Sequence, residues 1–213
     1  MPNFDMEKQY GDFIVGIDEA GRGPWAGPVV AGAVMFKNRD CNQELLAVLD
    51  DSKKLSALKR EKIYDMIFEE VSRGNILAGI GEASVEEIDS LNILQATFLA
   101  MSRALDNINI TPNMVLVDGN QIPNTIKLPC KTIIKGDAKC SSIAAASILA
   151  KVFRDRKMCE LAKVYPYYGF EKNAGYGTKL HVDGLKAHGV CPEHRRSYKP
   201  IKEFLSSTMD NLK

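Results

Sequence analysis

Four acids stand at the ends of apolar runs in this 213-residue sequence. Asp18 and Glu19 close the run Phe13-Ile14-Val15-Gly16-Ile17, and Asp118 closes Met114-Val115-Leu116-Val117. Asp137 follows Thr132-Ile133-Ile134-Lys135-Gly136, just ahead of a long helical pattern. An acid ending a buried strand is costly unless it is paired, hydrated or metal-bound. Each acid has a plainer alternative: strand ends reach water, and Asp137 would suit a helix N-terminus. The set says more than its members. If the strand ends are neighbours, four like charges converge, and such repulsion is not sustained without cations. All-oxygen ligands favour Mg2+ or Mn2+ over Zn2+. Two such ions, about 3.5–4 Å apart, can activate a water and stabilise the leaving oxygen in phosphodiester hydrolysis.

Side chains of adjacent strand residues point to opposite faces. Asp18 and Glu19 therefore cannot both meet one ion from a regular strand. Either the chain twists there, or Glu19 works from the edge of the site; Asp18 is the stronger expectation as a bridging ligand. Gly21-Arg22-Gly23 follows, and its glycines permit positive φ and close approach of backbone to a ligand. The same turn would serve equally as a tight structural bend. Cys159, His181, His188, Cys191 and His194 lack the close cysteine spacing of a structural zinc site. No nucleophile-elbow motif supports a Ser/His/Asp triad.

These acids need a sheet to carry them. Segments 13–18, 28–36, 76–80, 114–119 and 132–134 read as strands, dense in apolar and β-branched residues. Ser56 is placed to cap a helix over 57–72, with Ile63, Met66, Ile67 and Val71 on one face. Ser84 and Glu87 form a capping-box pattern, and Leu91, Leu94, Phe98, Met101 and Leu105 then make a stripe spaced three and four. A longer helix is predicted over 140–163, where SIAAASILA is small enough to sit close to a sheet. Gly169, Gly175 and Gly177 mark irregular chain, followed by short helices near 179–187 and 201–207. Strands first, then strands alternating with helices, indicate an α/β fold with a mixed sheet.

Composition agrees with one globular domain over residues 1–213. Apolar residues make up 45% and charged residues 26%, and no apolar run approaches the roughly 18 residues of a membrane span. The polar N-terminus lacks the apolar core of a signal peptide. Five widely spaced cysteines with no C-x-x-C pair favour reduced thiols. The expectation is a cytoplasmic protein, with a monomer as the simplest state. Charge is uneven: residues 1–129 hold 12 Lys/Arg against 19 Asp/Glu, and residues 130–213 hold 16 against 8. A basic C-terminal third, helical from about 165 to 213, suits a polyanion; a solvated basic surface is the alternative.

Six segments, in order, carry a resemblance. They are DEAGRG at 18–23, DSKKLS at 51–56, VDG at 117–119, KGDAKCSSIAAASILAKVFRD at 135–155, GYGT at 175–178 and PEHRRSY at 192–198. Together they resemble the ribonuclease HII family, over residues 13 to 200. The resemblance implies a ribonuclease H-like fold: a mixed five-stranded sheet flanked by helices, with a C-terminal helical segment. It implies an endonuclease acting on RNA/DNA hybrids and on DNA with embedded ribonucleotides, with Asp18, Glu19, Asp118 and Asp137 as the catalytic, metal-binding acids. The backbone of Gly21, Arg22 and Gly23 would meet the ribose 2′-OH, Tyr176 would stack on the neighbouring deoxyribose, and Lys53 would touch a phosphate. A solvated loop lysine is the alternative for Lys53. The sequence departs from the family pattern at Trp25, where a smaller aliphatic residue is common, at Ala174, often lysine, and at Tyr198, often phenylalanine. Ribonuclease HIII shares many of these motifs but carries an added N-terminal domain, and Asp18 lies near the start of this sequence. The rival of another class is a catalytically inactive nucleic-acid-binding module, against which the four retained acids argue.

Overall fold

The computed structural model describes residues 1–210; residues 211–213, the end of the expected basic segment, lie outside the described residues. Five strands form one sheet: β1 (Ile14–Ala20), β2 (Val29–Phe36), β3 (Ile76–Ala83), β4 (Met114–Asp118) and β5 (Cys130–Ile133), in the order β3-β2-β1-β4-β5. β1 and β3 run antiparallel to β2, whereas β4 and β5 extend the sheet in parallel on the other side of β1. The mixed sheet is as the sequence indicates. β1 is its centre, paired on both edges, which accounts for its near-continuous apolar run.

Helices close both faces. They are α1 (Gln43–Val48), α2 (Ala57–Ser72), α3 (Val85–Leu91), α4 (Ile93–Asp106), α5 (Ser141–Val164), α6 (Phe170–Asn173), α7 (Lys179–His188) and α8 (Lys199–Asp210). Ser56 caps α2 by accepting from the Lys59 N–H, and Ser84 with Glu87 completes the capping box of α3, both as predicted. The stripe from Leu91 to Leu105 needs correction as one face. The chain breaks at Asn92 (φ 71°), so α3 ends there and α4 starts in a new direction. Phe98, Met101 and Leu105 are buried, but Leu91 stands exposed. Asn tolerates this left-handed backbone, and its side chain then caps α4 through the N–H groups of Leu94 and Gln95. The short helix α1, capped by Asn42, has too few residues to show a period in the sequence.

α4 covers one face, with Ala100, Met101 and Ala104 packed among Val15, Ile17, Ala31 and Ala33. α5 covers the other, and α2 packs outside it through Ile63 and Ile67. The alternation of β1 follows: residues 15 and 17 meet α4, while Gly16 meets α5. A Cβ on Gly16 would stand 2.4 Å from the backbone nitrogen of Ile143. That closeness, and the small residues of α5, bring the helix hard against the strand that carries Asp18. A third cluster of Ala26, Met158, Tyr168, Phe170, Leu185, Cys191 and Ile201 ties the segment after β1 to the C-terminal helices. Among the described residues no helix is long and apolar enough to cross a membrane.

Gly16→Ala should therefore cost about 1–3 kcal/mol or more through overpacking against backbone that cannot yield. Urea or thermal unfolding checks this, with a wild-type midpoint as the contrary result.

Candidate active site

The register of the central strands builds the site. Ile17 pairs with Val117 across β1 and β4, so the next residues, Asp18 and Asp118, lie side by side at the strand ends. Asp18 is 4% exposed and faces α5 beside Ser147. Its Oδ1 accepts the Glu19 N–H at 2.7 Å. Burial, then the charges of Glu19 and Asp118, push its pKa well above the ordinary 3.8. Asp118 accepts the Gly136 N–H at 2.6 Å, which holds it against the turn that carries Asp137. That turn, Gly136–Ala138, is a single 3-10 turn entered through Lys135 in a left-handed conformation. Burial raises the pKa of Asp137, and Asp118 and Asp51 raise it further, while Lys53 opposes them.

Glu19 resolves the question of direction. β1 stays regular through Ala20, so Glu19 lies on the α4 side of the sheet, opposite Asp18. Its carboxylate is 3.4 Å from the Arg22 guanidinium. Burial nonetheless raises its pKa; Arg22 opposes and Asp118 adds to the rise. Glu19 thus stands at the edge of the acid group.

Asp137 is not the cap of α5. Glu7, from a short 3-10 turn at the N-terminus, accepts from the Ser142 N–H at 3.0 Å and from its hydroxyl at 2.9 Å. Asp137 is left to face the other acids. Lys53 is exposed on its loop, yet its charge reaches Asp18, Asp137, Asp51 and Asp118. Burial alone would depress its pKa, but these four carboxylates outweigh that and raise it. Asp51, a fifth acid at the site, was missed in the sequence because it follows no strand. The Ser52 hydroxyl, 2.8 Å from Ser147, ties this loop to α5 beneath Asp18.

Gly21 (φ 99°) needs to be glycine for two reasons: the backbone sign, and a Cβ that would fall 2.0 Å from Nε of Arg154. So its open side faces the protein. Arg154 and Arg195 are 1% and 0% exposed, and they hold the carbonyl side of the turn. Arg195 donates to Gly21 (2.6 Å), Arg22 (3.1 Å), Pro24 (2.8 Å), Gly27 (2.9 Å) and Pro28 (3.1 Å). Arg154 donates to Pro28 (2.9 Å), Ala26 (3.1 Å) and Ala174 (3.0 Å). Burial, with the like charge of Arg195 adding, lowers the pKa of Arg154 to about 10, and burial lowers that of Arg195. Two of the sixteen basic residues of the C-terminal third are therefore interior props whose donors are taken up by main-chain carbonyls. The sequence hid this, because charge counts do not distinguish buried from exposed guanidiniums. Tyr198 donates its hydroxyl to the Arg22 carbonyl, a bond that phenylalanine would lack.

Tyr176 is half exposed, and its ring lies over Gly23: a Cβ there would stand 3.3 Å from its Cε1. The Trp25 indole fills the space beside Gly177, and the Trp25 backbone N–H donates to the Gly175 carbonyl at 2.8 Å. Ala174 takes a left-handed backbone at the end of α6, with its carbonyl on Arg154. A cleft of about 510 Å3 contains Glu19, Arg22, Gly23, Lys53 and Tyr176, joined by Lys151. A groove of about 610 Å3 between α2, α5 and α6 shares Arg60 and Lys151 with it but holds none of the four acids.

The chain matches the family model described as Ribonuclease HII over residues 15–201. The chain belongs to the ribonuclease HII family. It is 50% identical to the ribonuclease HII of Marinomonas sp. (strain MWYL1) over 205 residues, 96% of this chain and 99% of that one. The ribonuclease H2 of Pyrococcus horikoshii OT3 superposes with a TM-score of 0.75 at 26% identity, covering 93% of this chain and 99% of that one. A Bst ribonuclease HIII solved in complex with Mn2+ shares the fold at 17% identity, with a TM-score of 0.75 over 99% of this chain and 75% of that one. The fold is the ribonuclease H-like fold, and the chain is a ribonuclease H-class enzyme.

Among the described residues, no three Asp, Glu, His or Cys side chains form a ready-made cation site. The acids are gathered but not closed into a ligand set. In kind and charge they fit a hard divalent cation: oxygen donors only, with Asp18 buried among like charges. The metal-free protein carries the cost. Asp18, Glu19 and Asp137 have raised pKa values. Each therefore favours the fold fully below its unfolded value of about 4, and that contribution is lost as pH rises through its folded value. Thermal stability without metal should fall as pH rises from 4 to 7. Asp18→Asn should flatten this fall and raise the melting temperature at pH 7, by about 2–4 °C per kcal/mol for a chain this size. Calorimetry in chelator across that pH range is the check; equal pH slopes in both proteins would refute it.

Proposed function

We propose that this enzyme hydrolyses the RNA strand of RNA/DNA hybrids and cuts 5′ to single ribonucleotides embedded in duplex DNA. The observation that carries the reading is the abutment of Asp18 and Asp118 beside a carbonyl-clamped glycine turn roofed by Tyr176. In the proposed reaction water adds to phosphorus, the P–O3′ bond breaks, and the products are a 3′-hydroxyl and a 5′-phosphate. Asp18, Asp118 and Asp137, with Glu19 from the edge, would hold two Mg2+ or Mn2+ ions. Bound there, such ions supply charge neutralisation at the phosphate and activation of the attacking water.

The residues around the acids do the recognition. With their carbonyls pulled inward by Arg195, the Gly21–Gly23 peptides present their other side to the cleft, at the right scale for a 2′-OH that both donates and accepts. The exposed ring of Tyr176 offers a flat face to a sugar lacking that hydroxyl. Phosphate and sugar contacts carry no sequence information, so the signal read is the chemical junction itself. Lys53 and Lys151 line the same cleft and suit phosphate. The inactive-module alternative has no observation in its favour. We take the chain as one catalytic unit, including the helical segment from about residue 165, acting as a cytoplasmic monomer.

Asp18→Asn and Asp118→Asn should each lower cleavage of a duplex holding one ribonucleotide by orders of magnitude, since each removes part of the cation site. Mn2+ should raise the melting temperature of wild type more than that of either variant, because ligand binding to the folded state stabilises it. Near-wild-type cleavage in either variant would remove the acids from the mechanism. Tyr176→Ala should lower cleavage at a junction relative to a uniform RNA/DNA hybrid, and Tyr176→Phe should keep most of it, because stacking needs the ring and not the hydroxyl. A folded Tyr176→Ala enzyme with an unchanged ratio would exclude Tyr176 as the junction sensor.

A further inference from the structure

Tyr176 lies between Gly175 and Gly177, on backbone with little stiffness of its own. Its peptide is pinned by few bonds. The N–H donates to the Asn173 carbonyl, and the carbonyl accepts from the Thr178 N–H at 2.8 Å and from Nδ1 of His181 at 3.0 Å. His181 is the side chain that reaches this carbonyl, and it is 0% exposed. Its other nitrogen, Nε2, is 2.9 Å from Nε2 of His194, also 0% exposed. The Nδ1 of His194 in turn accepts the Cys191 backbone N–H at 2.9 Å, its shortest contact, with the Cys191 Sγ at 3.2 Å and carbonyl at 3.3 Å.

The Tyr176 end of this chain has fixed polarity, and at the Cys191 end the shorter of two backbone contacts sets it. An amide N–H only donates, so His194 must accept at Nδ1 and carry its proton on Nε2. That proton points at Nε2 of His181, which must accept, so His181 carries its proton on Nδ1. A carbonyl only accepts, and the proton on Nδ1 meets the Tyr176 oxygen. Taking the 2.9 Å N–H contact over the 3.3 Å carbonyl contact at His194 Nδ1, one arrangement of protons satisfies every link, with both rings neutral. Burial agrees with neutrality: it lowers the pKa of His181, and with the nearby His181 it lowers that of His194 to about 4. Tyr168 and Phe170 meet the rings edge-on at 4.7 and 5.3 Å and fix their planes. A cation between the rings is disfavoured, because the proton that links the two Nε2 atoms occupies that position.

We propose that His181 and His194 are positioning residues that hold the Tyr176 ring over Gly23, through this one-way chain of hydrogen bonds from Cys191 to the Tyr176 carbonyl. Neither ring touches the reacting atoms. They set the gap between the two sides of the cleft, and so the preference for a junction; this rests on the junction reading given above.

Two substitutions separate anchoring from packing. His181→Asn places an amide N–H where Nδ1–H stood, and His181→Phe keeps the ring without any donor. Both lose the bond to His194, so both should lose stability; only His181→Phe loses the bond to Tyr176. The ratio of junction to uniform-hybrid cleavage should fall roughly tenfold in His181→Phe, the worth of one hydrogen bond, and stay near wild type in His181→Asn. Long-range 1H–15N spectra of the wild-type protein at pH 7 should show His181 protonated at Nδ1 and His194 at Nε2. The reverse tautomers, a charged ring, a wild-type ratio in folded His181→Phe, or an equal loss in both variants would each overturn the proposal. If neither variant folds, the wild-type spectra decide. Tyr176→Ala in the same assay keeps the two readings apart. An unchanged ratio there defeats the junction reading itself, whereas a lowered ratio beside an unchanged His181→Phe defeats only the anchoring chain.

Discussion

Repulsion between Asp18 and Asp118 is the interaction around which the rest of the molecule is arranged. Parallel pairing of β1 with β4 sets the two carboxylates on adjacent strands, where like charges oppose each other across the sheet. A sheet surface in water would relieve this by solvation. Here α5 closes over Asp18 and removes most of that relief. The site is thus held in an unfavourable electrostatic state by packing elsewhere, chiefly by the apolar contacts of α4 and α5 on the two faces of the sheet.

The positive charges near the site are distributed with corresponding economy. Arg154 and Arg195 lie buried close by, yet their guanidiniums donate to main-chain carbonyls, so they shape the turn without pairing directly with the acids. Guanidinium suits this task, because its planar fork serves several carbonyls at fixed angles. Lys53 balances the acids from an exposed loop, where its charge is weakened by solvent. The charge deficit at the acids therefore remains available to a cation, while the geometry of the neighbouring turn is independent of it. Separating charge balance from shape lets each be set without disturbing the other.

Much of this was legible in the residues. Apolar runs ended by acids located the strands and the four acids together, since strand ends and solvent-shy carboxylates leave the same mark on a sequence. Ser56, Ser84 and Glu87 marked helix starts because capping is local chemistry. Glu19 was legible as a difficulty of direction, which the regular strand decided. What stayed hidden depended on long-range geometry. Leu91 fits a helical period but lies before a break that rests on one left-handed asparagine. Asp51 gains its importance from a loop folded back over α5. Arg154, Arg195, His181 and His194 are polar residues whose type speaks for the surface, and whose burial follows only from three-dimensional closure around the turn. Glu7 belongs with them, because nothing near it in sequence shows that it caps a helix starting beyond residue 140.

That last contact has a consequence for how the enzyme comes into being. Glu7 and Ser142 are 135 residues apart, and the contact that ties Phe13 to Asn113 beside the β1–β4 pair spans 100. The central strand is made early and must wait for a partner made much later, with slow loop closure between them. A chain emerging vectorially from the ribosome can pair β1 with the nearby β2, and then β2 with β3, before β4 exists. It cannot assemble the acids until β4, Asp137 and the first turn of α5 have all been synthesised. The four acids thus come together only after β1 has waited through more than a hundred residues of synthesis.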